Sequence, residues 1–195
     1  MEQERIKIAL IHCPAWGPIP PLGSASLKSF MISHGYIAKC FDFNIEFYNS
    51  SSNSVKKSLW GADCYNNWSL DYSCQTDVKF NQGSIININS LPLKQWADEI
   101  LFFKPDILGF SVNLTNMTVS LLLAAELKKL IPGIFIVFGG PNAAQDREGN
   151  IILHTRIPDI VVHGEGEETL LEITKILENH GDFSAISSIG FLKNN

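Results

Sequence analysis

Cysteine is scarce in this sequence, and its spacing serves neither of its structural uses. Cys13, Cys40, Cys64 and Cys74 are too few for a disulfide scaffold in a chain of 195 residues, and they form no C-x-x-C pair or other zinc-like spacing. A reducing cytoplasm is the expected compartment. Positive charge is thin as well: 15 basic residues face 20 acidic ones, a net charge of -5, with no cluster denser than Lys56-Lys57 or Lys128-Lys129. That balance argues against a nucleic-acid surface. The charged start Met1-Glu2-Gln3-Glu4-Arg5 leads straight into a short strand-like run, so neither a secretory leader nor a membrane span is expected. His12, His34, His154, His163 and His180 are scattered without a partner at metal-ligand spacing, and no serine sits in a nucleophile elbow. No metal ligand and no catalytic residue is therefore assigned.

What is present is a set of alternating strand and helix patterns. With 45% hydrophobic residues the chain fits one domain, 1–195, able to bury a full core. Ile6 to Ile11 reads as a buried strand ended by Pro14, and Leu22 to His34 as a helix carrying Leu27, Phe30 and Met31 inward and stopping at Gly35. Ile37 to Phe43 is the second strand. Residues 49–91 differ in texture: a serine run is followed by Trp60, Tyr65, Trp68, Tyr72 and Phe80, an aromatic content that predicts an ordered insertion packed on the domain. Leu93, Trp96, Ala97, Ile100 and Leu101 form one helical stripe. Then come a strand at Asp106 to Val112, a helix at Met117 to Ile131 with Asn113, Thr115 and Asn116 as its caps, and a strand at Ile134 to Phe138. Asp159 to Val162 is the fifth strand, Glu167 to His180 the last helix with Gly181 as its stop, and Ile186 to Leu192 a possible edge strand. This order predicts a flavodoxin-like doubly wound parallel sheet with strand order 2-1-3-4-5 and an insertion after strand 2.

In such sheets ligands sit outside the carboxyl ends of the strands, which selects four loops. In the first, the prolines at 14, 18, 20 and 21 remove four backbone N–H groups, so it makes a poor phosphate cradle. It is either a rigid connection or a stiff apolar wall, with Trp16, for a flat ligand. The second is Asn113-Leu114-Thr115-Asn116. The third, Gly139-Gly140-Pro141, is either a tight strand exit or a place of close approach by a ligand. In the fourth, Gly164-Glu165-Gly166-Glu167, the carboxylates partly serve as first-turn partners of the helix dipole and exclude phosphate, while the two glycines point to a surface pressed against something.

Taken together, Pro14…Pro21-Leu22-Gly23, Asp42-Phe43-Asn44, Pro105 to Ser111, Phe138 to Pro141 and Asp159 to Glu167 resemble the N-terminal cobalamin (vitamin B12)-binding domain of cobalamin-dependent radical S-adenosylmethionine (radical SAM) enzymes, in order and over nearly the whole chain. The resemblance implies cobalamin held at the carboxyl edge of the sheet by Pro14, Trp16, Pro21, Leu22, Gly23, Ser111, Asn113, Thr115, Asn116, Gly139, Gly140, Pro141, Gly164, Glu165, Gly166 and Glu167. It further implies a radical SAM catalytic domain as partner, in cis or in trans, from a parent such as a methyltransferase. Two departures qualify it. The D-x-H-x-x-G motif of methionine-synthase-like cobalamin proteins is absent, so no histidine on cobalt is expected. The C-x-x-x-C-x-x-C signature of the iron–sulfur cluster is missing too, so S-adenosylmethionine and the cluster would belong to a separate barrel and this chain is not expected to be catalytic by itself. The competing expectations are a degenerate docking domain that no longer binds cobalamin, and a flavodoxin-like transferase or receiver. The receiver is disfavoured because its acids and lysine are replaced by His12-Cys13, Ser111 and His163.

Overall fold

The computed structural model describes residues 5–68, 91–143 and 152–192. Six strands form one sheet in the order β2-β1-β3-β4-β5-β6. They are β1 (Lys7–His12), β2 (Ile37–Asp42), β3 (Ile107–Ser111), β4 (Phe135–Gly139), β5 (Ile160–Val162) and β6 (Ile189–Gly190). The first five are parallel, in the anticipated 2-1-3-4-5 order, and β6 adds an antiparallel edge on β5. Central strands of such a sheet are covered on both faces and read as continuous apolar runs, as in β3, Ile107-Leu108-Gly109-Phe110.

Alternation along the strands divides the core in two. Ile8, Leu10, Ile107, Val137, Ile160 and Val162 face α1 (Leu22–Ser33) and α6 (Glu167–Glu178), which contribute Met31, Leu170, Leu171 and Ile173. Ala9, Ile11, Leu108, Phe110, Ile136 and Phe138 face the other layer, α4 (Leu93–Phe103) and α5 (Met117–Leu130). On α4 the stripe is buried at Trp96, Ala97 and Ile100.

Two aspartates fix the strand register. Asp106 accepts from Lys7 N at 2.8 Å through Oδ2 while its own N–H donates to Lys7 O at 2.8 Å. Asp159 repeats the device two sheet positions on, between β4 and β5, accepting from Ile136 N at 2.8 Å and donating to Ile136 O at 2.8 Å. Each closes a two-point clamp where a strand begins, so the carboxyl ends line up at the opposite edge.

The segment after β2 starts earlier than the composition suggested. Asp42 accepts from Ile45 N at 3.1 Å and caps α2 (Phe43–Ser50), so the second strand ends one residue before Phe43 and turns directly into a helix. After α3 (Asn53–Leu59) and a 3₁₀ turn (Ala62–Trp68), Trp60 and Trp68 lie buried against the domain. Tyr72 and Phe80, also assigned to the insertion, fall outside the described residues. Two helix ends also differ from expectation. Asn116, the N-cap of α5, makes no side-chain cap bond; Asn113 instead shapes the turn before the helix, its Oδ1 accepting from Thr115 N at 2.9 Å and Asn116 N at 3.1 Å. The last helix ends at Glu178, and the left-handed residue that turns the chain is His180 at φ 51, with Gly181 N donating back to Ile176 O at 3.0 Å.

Candidate functional site

Strand order reverses between β1 and β3, and a cavity of about 590 Å³ opens at their carboxyl ends on the α1/α6 face. Its floor follows from one register row. Leu10 pairs with Gly109 and Gly109 with Val137, so the central strand lacks a side chain between two branched neighbours. A Cβ at Gly109 would stand 3.0 Å from Leu10 Cδ2. The space it leaves is the base of the cavity, and Leu27, Val162 and Leu170 complete apolar walls.

The rim is built of loops that close on themselves. Asn116 Oδ1 accepts from Asn113 N at 2.7 Å and its Nδ2 donates to Ser111 O at 2.9 Å; Asn142 Oδ1 accepts from Leu114 N at 3.1 Å. Thr115 Oγ1 donates to Asn113 Oδ1 at 2.7 Å. These bonds spend the polar atoms of Thr115 and Asn116, both buried, inside the loop. Gly140, at φ +115, has no room for a side chain: a Cβ would meet Val112 O at 2.5 Å and Val112 N at 2.9 Å. This glycine is demanded by the crossing of two backbones. Gly164, at φ +81, has nothing within 4 Å of its would-be Cβ, so its conformation, not crowding, calls for glycine.

At the mouth, Ser26 Oγ donates to Glu167 Oε1 at 2.8 Å and links α1 to the first turn of α6. Glu165 and Glu167 both line the opening, with no lysine or arginine among the lining residues. Thr169 Oγ1 donates to Glu165 O at 3.3 Å, and His163 Nδ1 lies 2.7 Å from Ala143 O, fixing the loop from behind.

Of the residues singled out in the sequence, Gly23, Ser111, Asn113, Gly139, Gly140, Pro141, Gly164, Glu165, Gly166 and Glu167 meet around this cavity. Pro14, Trp16, Pro21, Leu22, Thr115 and Asn116 do not line it. Pro14 is buried, Leu22 is 83% exposed and Trp16 37% exposed. The apolar floor, Leu10, Gly109 and Val137, was missed by reasoning from loops alone. A glycine inside a strand, at 109, was the available signal, because such a residue marks a bulge or a close approach.

Two titratable groups lie buried near the end of β1. Burial pushes the Cys13 thiol up to about 12, which makes it an inert core residue. Burial also lowers the pKa of His12, partly offset by Asp42, and His12 Nδ1 has no hydrogen-bond partner among the described residues. Among the described residues no group of three or more His, Cys, Asp or Glu could hold a metal ion, and no helix is long and apolar enough to cross a membrane.

An open doubly wound sheet with a glycine-rimmed cavity at its switch point defines a ligand-binding α/β domain. A family model for the B12 binding domain matches residues 77–174, half of the chain, and the chain belongs to that family. It is 31% identical over 99 residues to the cobalamin-dependent radical SAM methyltransferase TokK of Streptomyces tokunonensis, covering 50% of this chain and 14% of that protein. It is 31% identical over 86 residues to a 2-(S-pantetheinyl)-carbapenam-3-carboxylate methyltransferase of Streptantibioticus cattleyicolor, covering 44% and 12%. Among solved structures, the radical S-adenosylmethionine methyltransferase TsrM of Kitasatospora setae, with cobalamin and a 4Fe-4S cluster bound, shares the fold. Its TM-score is 0.61 at 14% identity, over 95% of this chain and 28% of that one. The chain thus spans a small part of the length of each relative.

Proposed function

We propose that this chain is the cobalamin-binding module of a cobalamin-dependent radical SAM enzyme, with the corrin resting on the glycine rim at the carboxyl edge of the sheet. The observation that carries the reading is the cavity at the β1/β3 switch point, opened by the missing side chain of Gly109, inside a domain of the B12-binding family. The residues present suit such a guest. Gly139 and Gly164 let a broad planar ring approach the backbone, Leu10, Val137 and Leu170 offer an apolar shaft for an appended group, and Ser24, Ser111, Glu165 and Glu167 can hydrogen-bond amides at its periphery. When bound, cobalamin supplies a cobalt centre able to carry an alkyl group. In this reading cobalt takes no histidine from the chain, because the D-x-H-x-x-G motif is missing from the sequence.

Catalysis, S-adenosylmethionine and the iron–sulfur cluster belong, in this reading, to a radical SAM domain working in cis or in trans in the cytoplasm, for which this module positions the cofactor. The test is gel filtration of the purified chain after incubation with hydroxocobalamin at tens of micromolar. Cobalt co-eluting with the protein, with a shifted visible spectrum, is the expected result. Complete separation of protein and corrinoid would reject the reading in favour of a docking domain that has lost its cofactor.

A further inference from the structure

The first loop, residues 13–21, is held almost entirely from outside itself. Its prolines cannot donate, and among the described residues its internal backbone bond is Ile19 N to Gly17 O at 2.8 Å. Three successive residues are tethered instead to the segment that follows β2. Ala15 N donates to Asn44 Oδ1 at 3.0 Å, Gly61 N donates to Trp16 O at 3.0 Å, and Asn44 Nδ2 donates to Gly17 O at 2.7 Å. Asn44 is fully buried, and its Oδ1 also accepts from Trp60 Nε1 at 3.1 Å. Trp60 is wedged among Phe47, Tyr48 and Trp68, with ring centroids 5.4, 5.3 and 5.6 Å away. A buried amide with both ends bonded tolerates no displacement without leaving a polar atom unpaired, so the loop and the aromatic block move as one body.

This gives the aromatic segment a task at the site. The loop it grips leaves β1 at the ligand edge and leads into Gly23 and Ser24 on the cavity wall, with a partly exposed indole at Trp16. We propose that Asn44, backed by Trp60, is a positioning residue that holds Trp16, which stands outside the cavity lining on a loop of the same sheet edge, against the corrin beyond the rim; the inference rests on the cobalamin reading above.

The test is a double-mutant cycle on hydroxocobalamin binding, with the visible spectrum of the bound corrinoid and the thermal midpoint as parallel readouts. Trp16→Ala and Asn44→Ala should each weaken binding about tenfold and shift the bound spectrum alike. The double variant should bind no worse than Trp16→Ala, while the stability loss from Asn44→Ala persists in both backgrounds. Trp60→Phe keeps an aromatic ring at the position but loses the pyrrole half of the indole with its Nε1 donor; it should weaken binding less, again only when Trp16 is present, and it carries the cycle if Asn44→Ala fails to fold. Additive losses in the double variant, or unchanged affinity and spectrum in Trp16→Ala, would overturn the proposal. Absence of binding by the unaltered chain would instead mark failure of the cobalamin reading, and the proposal falls with it.

Discussion

At the scale of single residues, His12 shows how a side chain can load the fold with a pH dependence it does not advertise in sequence. Its pKa lies below the ordinary 6.5 because burial disfavours the imidazolium, with Asp42 pulling the other way, and its Nδ1 is unpartnered among the described residues. A histidine depressed in this way binds its proton more weakly folded than unfolded. Stability is therefore highest above the unfolded value, declines as pH falls below 6.5, and levels off once pH is below the folded value. Urea titrations between pH 7.5 and 5 should show this decline, and His12→Asn should flatten it; equal slopes in the two proteins would contradict the assignment. The residue scale is also where sequence reading was least complete. The bonds of Asn44 reach 27 and 29 positions back, which no local pattern reveals, and the side-chain bonds by which Thr115 and Asn116 tie their own loop together emerge only from its folded shape. Likewise Gly181 suggested a helix stop, whereas His180 takes the left-handed conformation.

At the scale of elements, apolar periodicity and turn residues identified the strands and the helices α1, α4, α5 and α6, because each must bury one stripe or both faces, whereas α2 and α3 lay hidden in the polar stretch after β2. Boundaries slipped where a side chain serves two masters, as at Asp42, which ends β2 and caps α2. The repeated Pro-Asp-Ile at 105–107 and 158–160 was visible in the sequence, but its use as a register clamp needed the paired strands. Asp42-Phe43-Asn44 divides into a cap, a packing residue and a brace. Phe43 stacks on Trp96 with centroids 5.1 Å apart at 18°, and Trp96 Nε1 donates to Glu46 Oε1 at 3.2 Å, joining α2 to α4. Trp96→Ala should cost about 3–5 kcal/mol of unfolding free energy, as expected for a fully buried tryptophan that leaves a cavity. Chemical denaturation measures it, and a loss under about 1 kcal/mol would mean that the α2–α4 contact is loose.

At the scale of the whole molecule, the parallel sheet brings loops far apart in sequence to one edge, and the reversal of strand order between β1 and β3 leaves a crevice there. The glycine rim was legible because glycine is informative wherever it stands at a strand end. The cavity beneath was not, since its depth depends on Leu10, Gly109 and Val137 falling in one row. In the proposed reading, a site of this kind positions a cofactor for chemistry done by a separate domain.

The central claim, that this cavity receives a corrinoid, is tested most directly by titrating hydroxocobalamin into the unaltered chain and into Gly109→Val, following the visible spectrum. The new side chain would press on the flexible end of Leu10, whose Cδ2 lies 3.0 Å from the added Cβ, and fill the base of the cavity. The account predicts saturable binding by the unaltered chain and at least about tenfold weaker binding by the variant, ~1.4 kcal/mol, with both chains folded. Equal affinity in the two would place the corrinoid somewhere other than this cavity, and saturation in neither would deny it a place on the chain.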